Sequence, residues 1–406
     1  MLLLCGCGGE PVVKVQPTKP TKAKGTIGSI DKKQSKFTVA QPDAEKIVLK
    51  ASEYLWSKQA DDGSWKSENY ELHKSGRALT PFVLYALTET DPQPPKESVE
   101  KALAYMRAEI RNGAMSFTDA EDPKQPFCST AYALMCFKKF GEPEDKDLIH
   151  SMQQHLVEQQ FTEARGLEVT QPAYGGWGAE GKQSLGEQSD ESANADIAHT
   201  RRAIQALAME PSDPETLNVA KKNADYFLKM VQKHPDDSRA QPMPAELGGK
   251  SYIKAGYDGG FYGSPGVLEA NKGRLNDYDP PFWNSYATAT CEGLLSLLAA
   301  GATEEDVRVS HAMDWLEDNG EVEYPEGVPA FYEGENWQEA VHFYHLALRG
   351  EVRRALELNL DYRDRITDAL FGYQKADGSF VNTRSSLMKE DDPVFCTALA
   401  IQALGD

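Results

Sequence analysis

Residues 50–65, KASEYLWSKQADDGSW, constrain this chain more than any other stretch, because a weaker copy recurs near the far end and repeated sequence means repeated structure. Lys50, Ala51, Tyr54 and Leu55 fall at helical spacing and predict an amphipathic helix. Gln59 stands near its end. Asp62-Gly63 predicts the turn that closes the helix, since glycine accepts the positive φ needed there, and Trp65 follows directly. A Gln at this place can hydrogen-bond the last carbonyls of the helix while the indole packs over it. Residues 365–380, RITDALFGYQKADGSF, keep the basic residue, Leu370, Gln374, Asp377-Gly378 and the aromatic Phe380 at the same intervals.

Between these copies the chain alternates two kinds of helical segment. Residues 76–87, GRALTPFVLYAL, are small or apolar on nearly every face and predict a buried inner helix after the polar outer one. The second unit repeats this with 101–117 outside and CSTAYALMCF from Cys128 inside, and it has Ile110 at the Gln place. Units three and four carry YGGWG at 174–178 and YDGGF at 257–261, followed by DIAHTRRAIQAL at 196–207 and SYATATCEGLLSLL at 285–298. Unit five has 312–316 outside and 337–348 inside, and unit six ends on TALAIQAL at 397–404. Helix pairs form either an open solenoid or a closed ring, and six pairs are what an (α/α)6 barrel requires. The expected fold is all-α, one toroid of six helix-pair repeats spanning residues 42–406.

The pattern of basic residue, Ala, aromatic-Leu, Gln, Gly and Trp resembles the QW motif of squalene-hopene and oxidosqualene cyclases. More loosely, it resembles the repeats of protein prenyltransferase β subunits. The resemblance implies an α/α toroid with a cavity lined by the inner helices. It also implies a cation chemistry in which an acid protonates an alkene and aromatic rings stabilise the carbocation.

Charge and ends narrow the partners. The net charge of −20 comes with no basic stripe, so a nucleic acid is not expected. The chain holds no apolar run long enough to span a membrane. Its start, MLLLCGCGGE, resembles a bacterial lipobox at residues 4–7 with Cys7 as the lipidated residue, although the apolar run is shorter than a signal peptide's. Residues 1–9 read as the signal and lipobox remnant and 10–41, rich in Pro, Lys, Thr, Gly and Ser, as a flexible tether. The expectation is an exported lipoprotein whose only membrane contact is its N-terminal lipid. Cys128, Cys136, Cys291 and Cys396 lie singly in apolar helical runs and read as packed thiols.

Candidate chemistry gathers in the loops before the inner helices. Asp277 and Asp279 come closest to the D-x-D-D run that the resemblance calls for, but Pro280 replaces its last carboxylate. Asp196 aligns best by helix register. Residues 390–392, Glu-Asp-Asp, occupy the same register in the last unit. For each of these acids a helix N-cap or a solvated carboxylate is the competing reading. Trp177, Tyr257, Phe261, Trp283, Tyr286, Tyr332, Trp337 and His342 are candidates for the wall of a ligand cavity. No cofactor is expected, and no metal, because the chain has no D-x-C and because His342, His345 and Glu339 read as the polar face of a core helix.

Two functions fit these residues. One is a lipid-anchored toroid that holds an apolar, isoprenoid-like or glycan ligand, or docks an envelope protein, without turnover. The other is a toroid enzyme, either a terpene-cyclase-type isomerase or a polysaccharide-acting one.

Overall fold

The computed structural model describes residues 43–90, 93–115, 127–178, 194–209, 213–235, 240–242, 251–253, 256–267, 270–277, 281–332, 334–358 and 360–405. The predicted lipobox with Cys7, the tether and Asp279 lie outside them.

Six units follow one another. The first is α1 (Ala44–Ser57), the one-turn α2 (Glu71–Lys74) and α3 (Leu79–Leu87). The second is α4 (Lys96–Glu109), β1 (Ile110–Arg111), β2 (Ala114–Met115) and α5 (Phe127–Phe140). The third is α6 (Lys146–Glu158), β3 (Trp177–Gly178), β4 (Ala195–Asp196) and α7 (Ile197–Ala208). The fourth is α8 (Pro214–Val231), β5 (Ala240–Pro242), β6 (Ser251–Ile253) and α9 (Ala287–Ala300). The fifth is α10 (Val307–Asp318), α11 (Trp337–Ala340) and α12 (His342–Ala355), and the sixth is α13 (Leu360–Phe371) and α14 (Pro393–Leu404). The strands form three short antiparallel pairs, β1 with β2, β3 with β4 and β5 with β6.

The inner helices α3, α5, α7, α9, α12 and α14 each pack against the next, and α14 packs against both α3 and α1. The array is therefore a closed ring and not a solenoid. Its helices start where the sequence supplies acceptors. Asp43, Asp213, Asp306 and Asp392 each accept a first-turn backbone N–H at the head of α1, α8, α10 and α14. One boundary departs from expectation. The inner helix read over 337–348 is two helices, because Val341 at φ −117°, ψ 24° interrupts the helical backbone between them.

The signature residues hold the units together, but not in the expected roles. Gln59 Nε2 donates to Gly63 O at 3.0 Å and to Ser98 O at 2.9 Å, so the amide ties its own turn to the next outer helix. Gln160 does the same to Gly175 O and Ala220 O, both at 2.9 Å, and Gln232 to Gly259 O at 3.0 Å and Arg308 O at 2.9 Å. The late helix carbonyl expected to meet the Gln is taken by the indole: Trp65 Nε1 donates to Leu55 O at 2.6 Å and Trp177 Nε1 to Leu156 O at 2.7 Å. The residue after the turn then reaches inward. The backbone N–H groups of Trp65, Met115, Trp177, Phe261 and Phe380 donate to the hydroxyls of Thr80, Thr130, Thr200, Thr290 and Thr397, at 2.9 to 3.1 Å.

Glycine is required at this turn on two counts. Gly63 has φ +87°, and a Cβ there would stand 2.3 Å from Lys101 O on the next outer helix. Unit two, with Ile110 at the Gln place, uses another tie. Arg107 on α4 makes a bidentate pair to Asp145, which stands just before α6, at 2.6 and 2.7 Å.

Candidate functional site

The ring interior carries charge where an apolar lumen was expected. Arg201 on α7 is 1% exposed and donates to Glu351 on α12 and, at 3.2 Å, to Glu292 on α9. Arg202 adds bonds to both Glu351 oxygens at 3.3 and 3.4 Å and lies 4.9 Å above the Tyr132 ring. Tyr344 donates to the second oxygen of Glu292. Gln205 on α7 donates to the Tyr85 hydroxyl on α3 at 3.0 Å. In the ring order α7 is not adjacent to α12 or to α3, so these bonds cross the lumen.

Burial alone raises the pKa of Glu351, but Arg201 and Arg202 outweigh it and hold the carboxyl far below the usual range. Burial and the nearby carboxylate of Glu292 push the Tyr344 hydroxyl well up, so it stays a donor. On the side where the inner helices end, the network borders a cavity of about 540 Å³ lined by Tyr85, Glu89, Arg201, Gln205, Leu295, Glu351, Arg353, Arg354, Ala355 and Glu357. Arg201 Nε is buried with no hydrogen-bond partner among the described residues.

The predicted site residues separate into three groups. Trp177 and Phe261 are fully buried in the ties between outer and inner helices, and their rings serve packing and not a cavity wall. Phe261 fits because Gly293 on α9 leaves room, as a Cβ there would stand 2.4 Å from the ring.

A second group meets at the loop rim. Leu275 bridges the fully buried Trp283, the Tyr286 hydroxyl donates to Ala270 O at 2.5 Å, and Arg274 stacks 3.7 Å from the Tyr332 ring centroid. Lys272 lies 4.2 Å over Trp337. The remainder stand apart. Tyr257 and Asp277 are exposed. His342 is buried at the head of α12 with Nδ1 2.8 Å from Glu323 O, and burial lowers its pKa. Among the described residues no group of three or more His, Cys, Asp or Glu side chains is placed to hold a metal.

Asp196 is the helix cap that register suggested, and more. Its Oδ1 accepts the His199 backbone N–H at 3.0 Å and its Oδ2 lies 2.6 Å from His199 Nδ1. Glu390 caps α12 from another unit: its oxygens accept the backbone N–H of Phe343 and Tyr344 at 3.0 and 2.9 Å and the Asn382 amide at 3.0 Å. Burial pushes Glu390 up to about 8 against those three donors.

Sequence reasoning missed the lumen network and the partner of Asp196. The signal was present. Arg201-Arg202 and Glu292 interrupt inner helices that are otherwise apolar, and a charge at a core position calls for a buried partner.

No family profile and no curated protein sequence matches the chain. Solved structures do. The type II terpene cyclase MstE from Scytonema, without ligand, superposes with TM-score 0.54 at 12% identity, over 89% of this chain and 96% of that one. A variant of the same cyclase in complex with merosterolic acid A, its product, gives TM-score 0.54 at 13% identity over the same shares. The GH76A α-1,6-mannanase from Salegentibacter sp. HEL1_6 gives 0.51 at 11% identity, over 89% of this chain and 99% of that one. At such identities the likeness is one of fold, and the chain is an all-α toroid, the architecture that these cyclases and the mannanase share.

Proposed function

We propose that this toroid binds a neutral, polyhydroxy ligand of the sugar class in the cavity beside Arg201, without turnover. The observation that carries the reading is the balanced lining of that cavity, with Arg201, Arg353 and Arg354 facing Glu89, Glu351 and Glu357. A hydroxyl both donates and accepts, so it satisfies a guanidinium and a carboxylate together. An anion would meet the three carboxylates, and an isoprenoid would strip water from charged groups that it cannot hydrogen-bond.

Turnover of either expected kind lacks its group here. Alkene protonation needs a neutral carboxyl above an apolar lumen. Glycoside hydrolysis needs one free carboxylate and one protonated carboxyl, whereas in this lining Glu351 is held by Arg201 and Arg202 and Glu89 by Arg354, which leaves Glu357 without a second carboxyl to work with. The likeness to a mannanase is consistent with a glycan ligand and carries no more than that. The reading retains an N-terminal lipid on Cys7 that holds the protein to a membrane outside the cytoplasm, where glycans are met.

Titration calorimetry of the purified protein tests it, with neutral oligosaccharides, an anionic oligosaccharide and a long isoprenoid alcohol in parallel. The expected result is heat from a neutral oligosaccharide, lost in Arg201→Met. Binding of the isoprenoid alone, or conversion of squalene to a cyclic product, overturns the reading.

A further inference from the structure

The end of α12 gives the cavity beside Arg201 a carboxylate in an unusual backbone setting. Leu356 closes the helix, and Glu357, the next residue, has φ +48°. A left-handed residue just past a helix is usually glycine, because a Cβ there crowds the following carbonyl oxygen. α9, which packs against α12, ends in that usual way on Gly301 at φ +103°. Residues other than glycine that are held in this region gather at ligand-binding sites, and Glu357 lines the cavity.

The charged side chains around it are already engaged. Arg201 and Glu351 pair with each other. Arg354 Nε lies 3.6 Å from one Glu89 oxygen, and the other accepts from the Thr88 hydroxyl at 3.0 Å. Arg353 donates to Gly405 O at 2.7 Å. Of the charged lining residues, Glu357 alone has a side chain with no hydrogen bond or ion pair to a described residue. Arg201 Nε, which can only donate, is also without a partner among the described residues. Glu357 is exposed and Arg201 is 1% exposed, so a free acceptor stands at the solvent side of the cavity and a free donor at its inner side.

We propose that Glu357 is the specificity-determining residue of this cavity, its two carboxylate oxygens each accepting one of two neighbouring hydroxyls of the ligand. The inference rests on the sugar ligand proposed above and names the part of it that is read. A carboxylate accepts and does not donate, so it selects a group that offers two O–H donors side by side, a vicinal diol. It repels an anion, and it finds no donor in a sugar whose hydroxyls are alkylated. Glycine at 357 would end α12 equally well but would bring no carboxylate.

The test is calorimetry and thermal unfolding of the full chain, with maltotriose, cellotriose and permethylated maltotriose as probes. A free trisaccharide should bind wild type and the permethylated one should not. Glu357→Gly should weaken binding roughly ten- to hundredfold, the worth of hydrogen bonds to a charged group, and Glu357→Gln should weaken it less. The unfolding midpoint should stay the same in Glu357→Gln and should not fall in Glu357→Gly, which relieves the left-handed backbone. Binding that is lost in Arg201→Met but unchanged in Glu357→Gly overturns this proposal and leaves the sugar reading standing. Tighter binding by Glu357→Gln, or equal binding of the permethylated sugar, overturns it as well. Weaker binding with a lowered midpoint in both Glu357 variants would mark a side chain that holds the fold, and overturns it too. No heat from either free trisaccharide with wild type overturns the sugar reading and this proposal together.

Discussion

Gln374 Nε2 donates to Ile47 O at 2.9 Å and to Gly378 O at 3.2 Å, so one side-chain amide of the last unit holds the first helix of the ring. The two residues are 327 positions apart in the chain. Gly378, at φ +91°, comes so close to α1 that a Cβ would stand 2.3 Å from Lys50 O. The seam is therefore built like every other junction that has a Gln, and ring closure uses the repeat's own chemistry.

Gln374→Ala should destabilise the protein by ~1–3 kcal/mol, the usual cost of leaving buried carbonyls without their donor. Trp65→Ala should cost more, ~3–5 kcal/mol, because it empties the site of a fully buried indole and frees Leu55 O. Urea unfolding read by circular dichroism measures both. A Trp65→Ala variant with an unchanged midpoint would sink the assignment of Trp65 to the junction.

The lumen network predicts a second ordering of stabilities. Removing Arg201 alone leaves Glu292 buried without its cation while Glu351 keeps Arg202, and an uncompensated buried charge typically costs ~3–5 kcal/mol. Replacing both Arg201 and Glu292 with apolar groups removes the desolvated charge as well as the bond. Arg201→Met should thus be far less stable than the Arg201→Met, Glu292→Met double variant. Thermal unfolding of the three proteins checks this, and a double variant no more stable than the single one would show that the unpaired Glu292 carboxylate is not what destabilises Arg201→Met.

How much of this was legible in the sequence divides along a physical line. The helix pairs and the junctions could be read because Gln59, Gly63 and Trp65 act within one local segment whose spacing recurs at Gln374, Gly378 and Phe380. The direction of the Gln bond could not be read, since its second acceptor, Ser98 O or Ile47 O, belongs to another unit. The same holds at the site. Asp196 was recognisable as a helix-start carboxylate, but the bonds of Arg201 to Glu292 and Glu351 were not, because they join helices far apart in the chain. The aromatic residues misled. Trp177 and Phe261 look alike in sequence whether they line a cavity or close a junction, and only the threonine hydroxyls facing their backbones distinguish the two.

The membrane reading makes its own prediction. If Cys7 carries a diacyl or triacyl group, wild-type protein should fractionate with membranes and Cys7→Ser should not, because a single acyl chain anchors only marginally while two or more anchor stably. Among the described residues no helix is long and apolar enough to cross a membrane, so helical spanning by them does not compete with the lipid. Wild-type protein recovered wholly in the soluble fraction without lipid on its mass spectrum would refute it.

The pH dependence of stability follows from four buried groups. Glu390 is raised to about 8, above an unfolded value of about 4.3, so its contribution is full below about 4.3 and is lost as pH rises through 8. His199, raised to about 10 from about 6.5, contributes fully below about 6.5 and loses that contribution as pH rises through 10. Glu351 runs the other way. Its folded pKa is depressed by Arg201 and Arg202, so its contribution is present above about 4.3 and lost as pH falls. Asp392, which burial raises, adds to the loss above the acid range. Stability should therefore peak at mildly acidic pH, and between about 5 and 6.5 its decline should be set by the two buried carboxyls before His199 contributes. Glu390→Gln removes one of them. It should lower stability at acidic pH, where the carboxyl caps α12, and flatten the decline from about 5 to 8. Melting temperature measured against pH for both proteins decides the point, and parallel curves across that range would mean that Glu390 does not titrate there.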